Sequence, residues 1–111
     1  MPASNDPIQY KLRFAPKAAA VLKTLKNGGT NEQARRRQVG RALGLLERNP
    51  RHPGLHSHQY ESFPVDRDIK VWDSYVDNRA PSAWRIFWRY GPDEKTLDKP
   101  VITVLAIGPH E

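Results

Sequence analysis

A few side chains in this sequence are equipped for chemistry, and their types and spacing limit what it can be. His56 and His58 stand two apart in the run Pro50-Arg51-His52-Pro53-Gly54-Leu55-His56-Ser57-His58, His110 stands next to last, and Arg85 lies in the run Trp84-Arg85-Ile86-Phe87-Trp88-Arg89-Tyr90. Histidine titrates near neutrality and so suits proton transfer, whereas arginine carries a permanently charged fork that matches an anionic oxygen pair. The i, i+2 spacing of His56 and His58 also fits metal ligation, but no third ligand has suitable local spacing, so neither a metal nor another cofactor is expected. With no cysteine in the chain, disulfides, thiolate zinc sites and thiol nucleophiles are excluded.

Arg85 has two competing readings. By strand alternation it points away from Trp84, Ile86 and Trp88, together with Phe87 and Arg89, so helices covering the aromatic side would leave the arginines on the opposite, concave face. It is equally placed to pair with Asp73 or Asp77 across a sheet. Trp72, Trp84 and Trp88 have the rings to stack on bases, yet indoles at alternating strand positions more often form core. Tyr60 and Tyr75 stay open between the two roles.

The elements that must hold these residues follow from periodicity. Ile8 to Phe14 alternates as a half-buried strand does, and Pro16 then opens a helix whose apolar positions Ala18, Val21, Leu22 and Leu25 fall at i, i+3, i+4 and i+7. Gly28-Gly29 stops it. Thr30 and Gln33 have capping-box spacing, and Val39, Ala42, Leu43 and Leu46 carry a second helix to Asn49-Pro50. Residues 50–58, with two prolines and a glycine, read as an exposed loop. Ile69 to Val76, Trp84 to Tyr90 and Val101 to Ile107 read as strands, the first two joined by an Asn78-Arg79-Ala80-Pro81 turn and the last apolar enough to be central. One α+β domain over residues 1–111 is expected, in the order β-α-α-β-β-β, with an antiparallel sheet and the N-terminal helical hairpin packed on one face.

Charge is uneven along the chain. Of the formal net charge of +6, residues 1–29 supply +4 and residues 30–50 supply +3, while the remainder carries −1 together with all four histidines. Attraction to a polyanion would come mainly from the first half, and Arg35, Arg36, Arg37 and Arg41 form a broad positive rim around a helix and not a pocket. No apolar run is long enough to span a bilayer and the first residues lack a secretory signal, so a soluble cytoplasmic protein without membrane partners is expected.

The sequence Val71-Trp72-Asp73-Ser74-Tyr75-Val76-Asp77-Asn78, the later Ala83-Trp84-Arg85-Ile86-Phe87-Trp88 and the closing Ile102 to Ile107 followed by Gly108-Pro109-His110-Glu111, taken with the element order, resemble toxins of the RelE/ParE superfamily from about Tyr10 onward. The resemblance implies the toxin of a type II toxin–antitoxin module, with a cognate antitoxin protein as partner. RelE-like members cut mRNA on the ribosome, and ParE-like members block DNA gyrase. It implies further that Arg85 takes the place of the strand arginine on the scissile phosphate and that His110 takes a proton-transferring tail position. His56, His58 and Lys70 are the nearest equivalents of a family lysine pair. Metal-free RNA cleavage needs a base for the 2′-OH, a cation for the phosphorane and an acid for the leaving 5′ oxygen. His56, His58, Arg85 and His110 are expected to fill these roles, and Arg89, Lys70, Arg35, Arg36, Arg37 and Arg41 to hold the RNA.

Overall fold

The computed structural model describes residues 9–61, 63, 68–77 and 83–109. Within them the chain forms β1 (Lys11–Phe14), α1 (Pro16–Lys26), α2 (Thr30–Arg48), a 3-10 turn (Pro53–Leu55), β2 (His58–Gln59), β3 (Trp72–Tyr75), β4 (Trp84–Tyr90) and β5 (Val101–Pro109). The architecture is α+β, with two helices and one five-stranded sheet. Among the described residues no helix is long and apolar enough to cross a membrane. The expected 78–81 turn lies outside the described residues.

The helical hairpin is fixed at its corner by side chains acting on backbone. Glu32 accepts the Gly29 N–H at 2.9 Å, which protects a donor that the helix itself cannot satisfy. Gln33 was expected to complete a capping box with Thr30. Its amide nitrogen instead reaches the carbonyls of Leu25, Lys26 and Gly28 at 3.1, 3.0 and 3.1 Å. The reason is that Gln33 N–H bonds the Gly29 carbonyl, so the helix starts one residue earlier than the Thr30 reading supposed, and Gln33 lies over the carbonyls at the end of α1 and in the turn that follows it.

The sheet order is β1-β5-β4-β3-β2. Strands β2 to β5 run antiparallel, but β1 lies parallel to β5, from Lys11 opposite Val101 to Phe14 opposite Val104. The expectation of a wholly antiparallel sheet is therefore corrected to a mixed one. Alternation tells which face a strand shows, not which neighbour it takes or in which direction. The nearly all-apolar β5 is central, as its composition required.

Helices and sheet bury one main core: Ala18 and Leu25 of α1 and Val39, Ala42 and Leu46 of α2 pack on Ile86, Trp88, Ile102, Val104 and Ile107. A register shift between Phe87 and Trp88, opposite Ala106 and Val104 respectively, leaves Leu105 as the extra residue of a bulge. Leu105 and Ala106 both join a second, smaller cluster with Val71, Phe87, Tyr60, Phe63 and Ile69 on the other face. Gly91 leaves β4 at φ 72°, a left-handed turn that a side chain would strain.

The 50–58 segment is largely exposed, as expected, but is anchored at a few points. Pro50 is buried and Leu55 is 1% exposed. Ser57 Oγ donates to the Pro50 carbonyl at 2.9 Å and lies 2.6 Å from Ser74 Oγ, while Trp88 Nε1 donates to Ser74 at 2.7 Å. These bonds fasten the segment to the sheet, and its last residue, His58, pairs in β2.

Candidate functional site

The site is built around Asp73, a carboxylate that the fold encloses completely. Asp73 is 0% exposed. On its strand it faces away from the helices, between His58 of β2 and Phe87 of β4. Tyr60 N–H continues the β2–β3 pairing by bonding the Val71 carbonyl at 2.8 Å, and the chain beyond it lays Tyr60 and Phe63 against Phe87, ring centroids 5.1 and 5.6 Å away. That small aromatic layer helps keep water off this part of the sheet.

A buried carboxylate must be compensated by charge or by donors. Arg85 Nη1 donates to Asp73 Oδ1 at 3.3 Å and Oδ2 at 3.2 Å. Arg85 thus makes the cross-strand ion pair with Asp73. Its guanidinium carbon also lies 3.7 Å from the centre of the Tyr75 ring, directly across the β3–β4 pair. Only 13% of the Arg85 side chain is exposed, and its Nε has no hydrogen-bond partner among the described residues.

His58 approaches the same carboxylate from β2, with Nε2 3.4 Å from Asp73 Oδ2 and Nδ1 3.0 Å from the His56 carbonyl oxygen. Both ring nitrogens thus face acceptors. The imidazolium, with two N–H donors, satisfies both, whereas a neutral ring satisfies one. Half of the His58 side chain is exposed and His56 is exposed as well, so solvent or a ligand can reach both rings.

His56 sits at φ 48°, a conformation uncommon for a residue with a side chain. The backbone there closes the 3-10 turn through His56 N–H to the Pro53 carbonyl, and the ring lands 5.0 Å from that of Tyr75. Tyr75 is consequently enclosed by Arg85, His56 and the edge of His58, whose ring centre is 6.3 Å away.

The fold thus gathers His56, His58 and Arg85 at one end of the face opposite the helices, while His110 lies outside the described residues. The residues expected to hold RNA are scattered. Arg35 forms an ion pair with Asp77, lies 4.7 Å from the Trp84 ring centre and donates to Gln38, so it locks helix to sheet. Arg36 donates to Gln33 at 3.5 Å and lines a groove on the hairpin with Lys23 and Lys26. Arg37, Arg41 and Lys70 are exposed. Arg89 is half-buried and donates to the Tyr90 carbonyl.

Asp73 as the hub and Tyr75 as the ring between the basic groups were not picked out as functional residues. The sequence offered Asp73 or Asp77 as the partner of Arg85; pairing of β3 with β4 brings Arg85 to Asp73 and sets Tyr75 opposite Arg85. No protein-family model, no curated protein and no solved structure matches the chain.

Proposed function

We propose that this chain is a toxin of the RelE type, which cleaves messenger RNA on the ribosome without a metal and is held inactive by a cognate antitoxin protein. The observation that carries the reading is the convergence of His58 and Arg85 on the enclosed carboxylate of Asp73. Asp73 accepts from the Arg85 guanidinium and lies against the His58 ring, half of which is in solvent. In the reaction, a base, with His56 the nearest candidate, takes the 2′-OH proton as the 2′ oxygen attacks phosphorus. Arg85 offsets the charge of the phosphorane, and His58 as imidazolium gives its proton to the departing 5′ oxygen. The products are a 2′,3′-cyclic phosphate and a 5′-hydroxyl end.

Charge distribution supports a polyanionic partner. Residues 16–48, the helical hairpin, hold eight basic and two acidic residues, a net +6 that equals the charge of the whole chain. Such a layer favours phosphate-rich surfaces such as ribosomal RNA, with a strong dependence on salt.

Expression without an antitoxin is expected to arrest growth and leave transcripts with cyclic phosphate ends. His58→Ala is expected to lower cleavage by about 10²- to 10⁴-fold with an unchanged circular dichroism spectrum. Undiminished cleavage by that variant would remove His58 from the mechanism.

A second reading, a non-enzymatic ParE-like inhibitor of DNA gyrase, is favoured by one observation: Arg85 is largely enclosed and already paired, which suits a scaffold. Induced DNA breaks with intact transcripts would decide for it.

A further inference from the structure

Beside Tyr75 the surface opens into a cavity of about 300 Å³ between α2, the 3-10 turn and the end of β3, lined by Gln38, Arg41, His56, Tyr75 and Asp77 among others. It shares His56 and Tyr75 with the cluster around Asp73, so whatever occupies the cluster has this cavity as its next neighbour.

The polar groups in it are mostly donors. Arg41 is exposed and makes no ion pair with another described residue, so its guanidinium is available. Gln38 accepts from Arg35 Nη1 through Oε1 at 3.3 Å, which turns its amide nitrogen, with two N–H groups, to the other side. Asp77 is the one acidic side chain among the described lining residues, and its charge is matched by Arg35. Because Asp77 is already paired with Arg35, which stands outside the lining, Arg41 is the charge of the wall left for a ligand. A donor-rich, positive pocket fits an anionic oxygen ligand better than a nucleobase, whose edge carries donors of its own. Stacking is also poorly served, because Tyr75 is covered by Arg85 at 3.7 Å and by His56 at 5.0 Å.

We propose that this cavity binds a second phosphate of the RNA strand, next to the one at the Asp73 cluster, through the Arg41 guanidinium and the Gln38 amide. The proposal rests on the cleavage reading for the identity of the strand, and it adds a requirement: the substrate must carry a further phosphodiester beyond the scissile one. The positive hairpin layer supplies attraction without orientation, whereas this pocket orients the strand about the scissile phosphate.

The test uses RNA oligomers with 2′-O-methyl groups, which bind but cannot be cleaved. A dinucleoside monophosphate has one phosphate and a trinucleoside diphosphate has two. Affinities of the wild type, Arg41→Ala, Arg41→Lys and Gln38→Ala are measured by fluorescence anisotropy over a range of salt concentrations. Arg41→Ala is expected to weaken the two-phosphate oligomer by roughly tenfold, with a salt slope smaller by about 0.7. It should leave the one-phosphate oligomer unaffected, and Arg41→Lys should keep the slope. Gln38→Ala should weaken the longer oligomer alone. Equal binding of the longer oligomer by wild type and Arg41→Ala, equal losses for both oligomers, or no binding by the wild type would each overturn the subsite. Because no bond is cut, failure of the cleavage mechanism shows up separately, in the transcripts of cells expressing His58→Ala.

Discussion

Asp73 and Ser74 are neighbours on β3, both 0% exposed, and they face opposite sides of the sheet. On the helix-covered side, Ser74 is the middle of a chain whose direction is fixed by its ends. The Trp88 indole can only donate and the Pro50 carbonyl can only accept, so Ser74 must donate to Ser57 and every group in the chain is satisfied. On the other side, Asp73 can only accept, and among its partners are a largely enclosed arginine, whose Nε has no partner among the described residues, and a half-exposed histidine. A buried polar group whose partners return to the backbone makes scaffold. One whose partners run toward solvent keeps capacity for a ligand.

The comparison predicts that the helix-covered side dominates stability. Trp88 is 1% exposed, stacks 5.9 Å from Trp72 and holds Ser74, so Trp88→Ala is expected to cost about 3–5 kcal/mol in urea unfolding. A loss below that range would mean that the helical face is less tightly packed than its burial implies.

Next comes the ionic side. Arg85→Ala leaves a carboxylate enclosed without its main cation and is expected to cost about 3 kcal/mol. The double variant Arg85→Ala/Asp73→Asn removes the uncompensated charge and should recover most of that loss. This cycle sharpens the comparison, because activity lost in Arg85→Ala alone mixes unfolding with chemistry. If the double variant is no more stable than Arg85→Ala, the carboxylate is not the reason that the arginine is needed.

How far the sequence revealed these two sides depends on the range of the forces involved. Pro16, Gly28-Gly29 and Asn49-Pro50 act locally, and α1 and α2 begin and end beside them. Trp84 to Tyr90 alternates strongly enough to give β4 with its faces. By contrast, β2 is two residues long, shorter than any period, so His58 read as loop. The parallel partner of β1 is a long-range choice without a local signature. Asp73 read as one of two possible cross-strand partners of Arg85, with Asp77 the other. The enclosure of Asp73 follows pairing, which sets Arg85 beside it and Phe87, itself covered by Tyr60 and Phe63, across from it. Arg35 read as part of a positive rim, but Trp84 and Asp77 draw it onto the sheet.

A smaller effect tests the rim of the helix-covered side. Tyr90 lies 4.9 Å from Trp88 and 5.9 Å from Tyr10, ring to ring. Burial raises its pKa above the usual 10.0, charge on Tyr10 adds to this, and Arg51 pulls the other way. The folded state thus holds the phenolic proton more tightly than the unfolded chain does. The stability linked to it is whole below pH 10.0 and is lost as pH rises through the folded value. Stability measured against pH should fall more steeply in the wild type than in Tyr90→Phe above that point. Parallel curves would show that the rim is as wet as bulk surface.

The smallest expected stability effect belongs to the residue with the largest expected functional one. His58 is half exposed and its contact with Asp73 is 3.4 Å long, so His58→Ala should change unfolding free energy by less than about 1 kcal/mol. Arg85 remains to compensate the carboxylate, and β2 keeps its backbone pairing, so the variant has every reason to fold. If unfolding is as impaired as in Arg85→Ala, then Asp73 needs both cations to stay buried, and the cluster is scaffold like the serine chain on the other face. If stability holds while RNA cleavage disappears, the two faces differ as their hydrogen bonding suggests, and only the side that opens to solvent does chemistry.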